Sequence, residues 1–248
     1  MKLAIITGAS KGLGYAITEK LMEEKFAVIT ISRTENKQLK SAAEKLKLFY
    51  QFFSCDFTQL DEIENAFQQI GKIMTSTSFD SIYLFNNAGV VEPIEAIGHL
   101  NSQALISNIQ VNLMAPMLIT NIMLEWVNAP LTIINVTSGA AERPFHGWSA
   151  YCSTKAGINM FSQTFALEQE ISEGKHKILA FNPSIMDTEM QSAIRSSSKD
   201  AFHLLEQFQD YKKEGMLRSP EVVANALIQF VLKDDYKSGQ VYHVNDLL

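Results

Sequence analysis

Short apolar runs rich in valine, isoleucine and phenylalanine alternate along the chain with longer stretches in which apolar residues recur every three or four positions. Fully buried strands and amphipathic crossover helices produce this rhythm. The apolar runs fall near Lys2–Thr7, Ala27–Ser32, Phe49–Cys55, Ser81–Asn86, Leu131–Thr137, Lys177–Asn182 and Gln240–Val244, and the helical spacing covers residues 13–24, 36–47, 59–73, 101–127, 150–173 and 219–232. Strand followed by helix, repeated without a linker or internal repeat, predicts one α/β domain over residues 1–248. Its centre should be a doubly wound, seven-stranded parallel sheet with helices on both faces. Helix ends are marked too: Ser149 reads as an N-cap, Gly174 as a terminator, and Ser219-Pro220-Glu221 as N-cap, first helical position and first-turn acid. Residues 187–215 break the rhythm. They are helical in composition, contain Ser196-Ser197-Ser198, and follow the sixth strand, so they lie at the carboxyl edge where open α/β sheets bind ligands. This segment is a candidate substrate lid.

With 46% hydrophobic and 19% charged residues, 248 residues can bury a large core without covalent help. A formal charge of -6 and the lack of a long basic run argue against nucleic acid as a partner. Cys55 and Cys152 match no metal-ligand spacing and read as free thiols. The first apolar run is too short for a signal-peptide core, and no later run reads as a membrane span, so a soluble, cytoplasmic protein is expected. Asn135-Val136-Thr137 fits a glycosylation acceptor, but it closes a strand and has no secretory context.

Directly after the first strand stands Thr7-Gly8-Ala9-Ser10-Lys11-Gly12-Leu13-Gly14, with a helix opening inside it. Glycines there let the backbone turn sharply and approach a pyrophosphate, and the helix N-terminus faces the negative charge. The spacing is GxxxGxG rather than GxGxxG, and no Gly-Lys-Ser/Thr follows, which removes a Walker-type loop. At the end of the second strand the chain reads Ile31-Ser32-Arg33-Thr34. An NAD-preferring site would place an acid there, whereas Arg33 can hold a 2′-phosphate by paired charge-assisted hydrogen bonds, with Lys11 as a second positive charge.

Tyr151 and Lys155 are four residues apart on one helix face. At a separation of about 5 Å an ammonium would lower the phenol pKa by roughly two units toward operating pH. Ser138 ends the fifth strand, at the edge where its hydroxyl can meet a substrate carbonyl oxygen. Taken alone, tyrosine and lysine at this spacing form an ordinary solvated face; together with the serine and the glycine turn they predict acid–base chemistry on a carbonyl.

The ordered set made by the glycine turn, Cys55-Asp56-Phe57, Asn86-Asn87-Ala88-Gly89, Asn112, Ser138, Tyr151, Lys155 and Asn182-Pro183-Ser184-Ile185-Met186-Asp187-Thr188 resembles the short-chain dehydrogenase/reductase family over nearly the full length. That resemblance implies a Rossmann-type sheet and an oxidoreductase using NADP(H) on a small-molecule carbonyl, as a homodimer or homotetramer. It implies cofactor contacts from Gly8, Ser10, Lys11, Gly12, Leu13, Gly14, Arg33, Asp56 and Phe57, with Asp56 on the adenine. It further implies that Asn87, Ala88 and Gly89 flank the adenine ribose and that Lys155 holds the nicotinamide ribose. Pro183, Ile185 and Thr188 would lie at the carboxamide, and Asn112 would hold a water behind Lys155. Ser184 departs from the family, which has glycine after the proline, and a serine tolerates fewer backbone conformations. Around Ile31–Thr34 and Glu92–Ala104 the chain is similar to sepiapterin reductases and bacterial benzil reductases, implying substrates with adjacent carbonyls.

Phe145 and Trp148, between Ser138 and Tyr151, and Met186 and Met190, beside the carboxamide segment, offer flat and polarizable surface for an aromatic or pterin-like guest. Two other readings remain open. A reductase of 3-oxoacyl thioesters would want a basic patch for an acidic carrier, with Arg143, Arg195 and Lys199 available; a non-enzymatic NADP(H) sensor would not need Tyr151, Ser138, Lys155 or Asn112. On helices 101–127 and 150–173, Met114, Met117, Phe161 and Phe165 are available for self-association.

Overall fold

A computed structural model describes all residues, 1–248. Seven parallel strands, β1 (Lys2–Thr7), β2 (Ala27–Ser32), β3 (Tyr50–Ser54), β4 (Ser81–Asn86), β5 (Leu131–Val136), β6 (Lys177–Asn182) and β7 (Val241–His243), pair in the order β3-β2-β1-β4-β5-β6-β7. The expected Rossmann-type sheet is therefore present, and the strand order reverses between β1 and β4. Alternation along each strand feeds two cores. Leu3 and Ile5 of β1 face one cluster; Ala4 and Ile6 face the other. Helices α1 (Gly12–Glu23), α2 (Lys37–Leu46) and α9 (Pro220–Lys233) cover the second cluster, while α3 (Leu60–Ser76), α4 (Ser102–Ile109), α5 (Ala115–Trp126) and α6 (Ser149–Ile171) lie against the first. The lid region holds α7 (Glu189–Arg195) and α8 (Leu205–Lys213).

Three local readings are corrected. Ser149 is the first helical residue of α6, not its cap; Trp148 occupies that position without a side-chain hydrogen bond. Gly174 is not the left-handed terminator either. Glu173 takes that conformation at φ 52°, while the amides of Gly174 and Glu173 close onto the Gln169 and Glu170 carbonyls, a Schellman arrangement with glutamate in the glycine position. Ser219 does cap α9, accepting from the Val222 amide. Residues 101–127 are not one uninterrupted α-helix: Gln110–Met114 form a π turn between α4 and α5. Pro116, four residues beyond Asn112, has no N–H to give the α-helical bond to the Asn112 carbonyl. Buried Asn112 instead grips the Val90 backbone, donating to its carbonyl at 2.7 Å and accepting from its amide at 2.9 Å.

Contrary to the sequence reading, Ser102–Trp126 is long and apolar enough, by length and composition alone, to cross a bilayer, with a mean hydropathy of 1.2. In the fold it packs on α3 and α6 instead. Trp126 lies so close over Gly71 of α3 that a Cβ there would sit 2.4 Å from its indole. Gly71→Ala should therefore overpack this helix pair and cost about 1–3 kcal/mol, read as a lowered urea midpoint with unchanged m-value.

Candidate active site

One cleft of about 1540 Å³ runs along the carboxyl edge of the sheet. Its first wall is built by hydrogen bonds across the β1/β4 reversal. Thr7 donates through Oγ1 to the Phe85 carbonyl and accepts from the amides of Asn87 and Ala88, both at 3.0 Å. Asn87 answers through Nδ2, donating to the Thr7 and Gly8 carbonyls at 3.0 and 3.2 Å. Gly8 has φ 67°, and a Cβ on it would meet the Ala88 backbone at 2.9 Å; on Gly14 it would meet the Gly8 carbonyl oxygen at 2.3 Å. The turn thus needs glycine for conformation at one position and for close approach at the other. Lys11 precedes α1 with no side-chain cap, so the first amides of that helix remain open to an anion. This cradle fits a dinucleotide pyrophosphate.

The adenine end follows from β2 and β3. Ser32 donates to the Thr34 carbonyl at 2.8 Å, ordering the turn on which exposed Arg33 stands. Asn36, which the sequence reading missed, accepts from the Gln38 and Leu39 amides to cap α2 and donates to the Ser10 carbonyl at 2.9 Å. It ties the glycine turn to the Arg33 loop. Asp56 uses Oδ1 to accept from the Thr58 amide and hydroxyl, while Phe57 borders the cleft but buries its ring in the first core. The second expected positive charge is engaged elsewhere: Lys11 pairs with the carboxylate of Glu189 at the start of the lid.

At the other end Ser138, Tyr151 and Lys155 share the cleft with Gly89. Lys155 donates from Nζ to the Val136 carbonyl at 2.8 Å and stands 5.7 Å from the Tyr151 ring centre. A Cβ on Gly89 would come within 3.1 Å of Asn112 Oδ1 and 3.7 Å of Lys155 Nζ, so the glycine leaves space that the lysine needs. The expected fall in the Tyr151 pKa is not found. Burial pushes the phenol up to about 12, opposed in part by its hydrogen bond with Ser138, and burial brings Lys155 down to about 8. Removing both groups from water outweighs their attraction. Asn112 is held by Val90, Asn108 and Thr154.

The lid closes this end. Trp148 stacks on Phe202 with centroids 4.7 Å apart and meets Tyr151 and Phe208 edge-on, each at 5.5 Å. Phe145 lies 5.1 Å away, and Met190 packs on the same cluster. Met186 also borders the cleft but packs on the second core, and a bridge to Arg218 fixes it. Thr188 caps α7, and Asp187 pairs with Lys212 of α8. Ser184 stands at φ 59°, the left-handed conformation that explains why the family uses glycine there. Phe202 and Phe208 were not anticipated, although Phe202, Leu205, Phe208 and Tyr211 recur every third residue. Arg143, Arg195 and Lys199 do not form a free basic patch. Arg143 lies over the Phe145 ring, Arg195 donates to Gln191, and Lys199 pairs with Glu206. Of the residues expected for self-association, Phe165 is buried in the first core, whereas Met114 and Met117 are exposed.

A sheet of this order with glycine turn, serine, tyrosine and lysine on one carboxyl edge defines an oxidoreductase of the short-chain type. Residues 2–199 match the family model for short chain dehydrogenases, and the chain belongs to that family. It is 40% identical to a benzil reductase ((S)-benzoin forming) of Bacillus cereus over 99% of this chain and 100% of that one. It is 26% identical to the sepiapterin reductase of Rattus norvegicus, over 96% and 94%. A solved short chain dehydrogenase/reductase from Saccharomyces cerevisiae superposes with a TM-score of 0.83 at 26% identity, covering 99% and 96%.

Lys155 gives the site a pH signature. Its folded pKa lies below the unfolded value of about 10.4, so the unfolded chain binds more protons between the two and stability rises with pH across that window. In cofactor-free protein, Lys155→Met should abolish a gain on the order of a few kcal/mol between pH 8 and 10. Denaturant melts at those pH values check it; an unchanged pH slope would remove Lys155 as its source.

Proposed function

We propose that this protein is an NADPH-dependent reductase that converts one carbonyl of an aromatic dicarbonyl to a hydroxyl, with Tyr151 as proton donor. The observation that carries the reading is the aromatic enclosure of Trp148, Phe202 and Phe208 directly against Tyr151. The similarity to benzil reductases supports it. When bound, the nicotinamide cofactor supplies hydride to the carbonyl carbon. Ser138 donates to the carbonyl oxygen and Tyr151 passes its proton there, a task suited to a phenol that burial keeps protonated. Lys155 would hold the nicotinamide ribose and Asn112 would support the water that restores the proton. The 2′-phosphate falls to Arg33 and the Ser10–Asn36 link, with Lys11 paired to Glu189 across the cleft. Exposed Met114 and Met117 make a dimer through α5 part of the same reading.

NADPH oxidation with benzil, with benzoin as product, tests the activity. Tyr151→Phe should lower kcat by roughly 10²- to 10⁴-fold while NADPH binding, followed by fluorescence, stays within twofold. A variant with near-normal turnover would take Tyr151 out of the reaction.

Arg33→Asp replaces attraction to the 2′-phosphate by repulsion, so it should shift the NADPH/NADH ratio of kcat/KM toward NADH by roughly tenfold or more. A wild-type preference for NADH would overturn the cofactor assignment.

A further inference from the structure

Five buried side-chain polar atoms lack a hydrogen-bond partner: Asn86 Oδ1, Thr120 Oγ1, Trp148 Nε1, Asn159 Oδ1 and Gln191 Nε2. Two of them, on Trp148 and Gln191, belong to residues that line the cleft. Both are N–H donors. Gln191 is 4% exposed and lies on α7 between Met190 and Ile194, which border the same cleft. The orientation of its amide follows from chemistry. Arg195, one turn later on α7, donates from Nη1 to Gln191 Oε1 at 2.5 Å. A guanidinium has donors only, so the amide oxygen must face it and the NH₂ is left on the other side, desolvated and unpaired. A buried donor in that state is costly, and an acceptor oxygen removes the cost. Trp148 has no such orienting partner, since its indole is enclosed by the rings of Phe145, Tyr151, Phe202 and Phe208.

We propose that Gln191, held by Arg195, donates a hydrogen bond to the non-reacting oxygen of a substrate with adjacent carbonyls and so selects dicarbonyls over single ketones. The inference rests on the dicarbonyl reading above. Ser138 and Tyr151 take the reacting oxygen. The second oxygen is attached one carbon further on, accepts without donating, and matches the lone donor left on α7. A single ketone of the same size puts a CH₂ there and leaves the amide unpaired.

The test compares kcat/KM for benzil with that for deoxybenzoin, which carries the same two rings but CH₂ in place of one carbonyl. Gln191→Leu should lower the benzil value by roughly 10- to 100-fold, change the deoxybenzoin value by less than about threefold, and leave NADPH binding within about twofold. Arg195→Met, at a half-buried position, should produce a smaller loss of the same selective kind, and Arg195→Lys should restore it by keeping a donor-only partner for Oε1. This pair carries the test if Gln191→Leu fails to fold. Equal losses on both substrates, no selective loss, weakened NADPH binding, or a selective loss with Trp148→Phe but not Gln191→Leu would each overturn the assignment. Wild-type protein that reduces deoxybenzoin but not benzil would overturn the dicarbonyl reading itself, and the role of Gln191 with it.

Discussion

The Thr7 hydroxyl, which holds the ends of β1 and β4 together, is the contact on which the rest of the site depends. It binds the Phe85 carbonyl on one side and the Asn87 and Ala88 amides on the other, so the two loops leaving these strands are set against each other rather than left to solvent. Gly8 then lies on the Ala88 backbone at a separation only glycine permits. Gly89, two residues beyond Asn87, reaches Asn112 and Lys155. A single short side chain at the strand reversal thereby joins the anion cradle to the acid–base cluster, and a shift in one would be felt by the other.

Burial sets the electrostatics of that cluster. Solvent removal holds Tyr151 as a phenol and weakens the hold of Lys155 on its proton, and the lysine satisfies its donors on the Val136 carbonyl. The tyrosine is thus kept in the form that can donate. A point-charge argument taken from helix spacing alone omits the desolvation of both partners and so gets the sign of the phenol shift wrong.

Much of the fold is written in short-range pattern. Each of the seven strands was legible as a buried apolar run, and the carboxyl-edge residues from Gly8 to Thr188 were legible because their chemistry is local to strand ends. What escaped depends on partners distant in sequence. Asn36 looks like an ordinary cap until its amide is seen on Ser10. Glu173 takes the left-handed turn expected of Gly174 because the tightness at that glycine comes from Gln169. The π turn was in principle visible, since Pro116 removes the donor four residues after Asn112. Its use could not be seen from spacing, because the Val90 backbone that Asn112 grips comes from another loop.

The division of labour between sheet and lid follows from these constraints. Residues at the strand ends are fixed by backbone hydrogen bonds and by close approach, so they can serve only a reactant common to every turnover. Side chains that contact a variable guest must come from elements whose packing tolerates change. The segment from Trp148 through α7 and α8 has that character: its cluster is aromatic and adaptable, and charge pairs at its margins, Lys212 with Asp187 and Lys199 with Glu206, hold it without burying it. Such exposed pairs contribute little each, so the lid is held to the sheet chiefly by Trp148 against Phe202. The residue that packs the lid is therefore also the wall of the pocket, and on the proposed reading a bulky flat substrate would compete for the same ring face that keeps the lid in place.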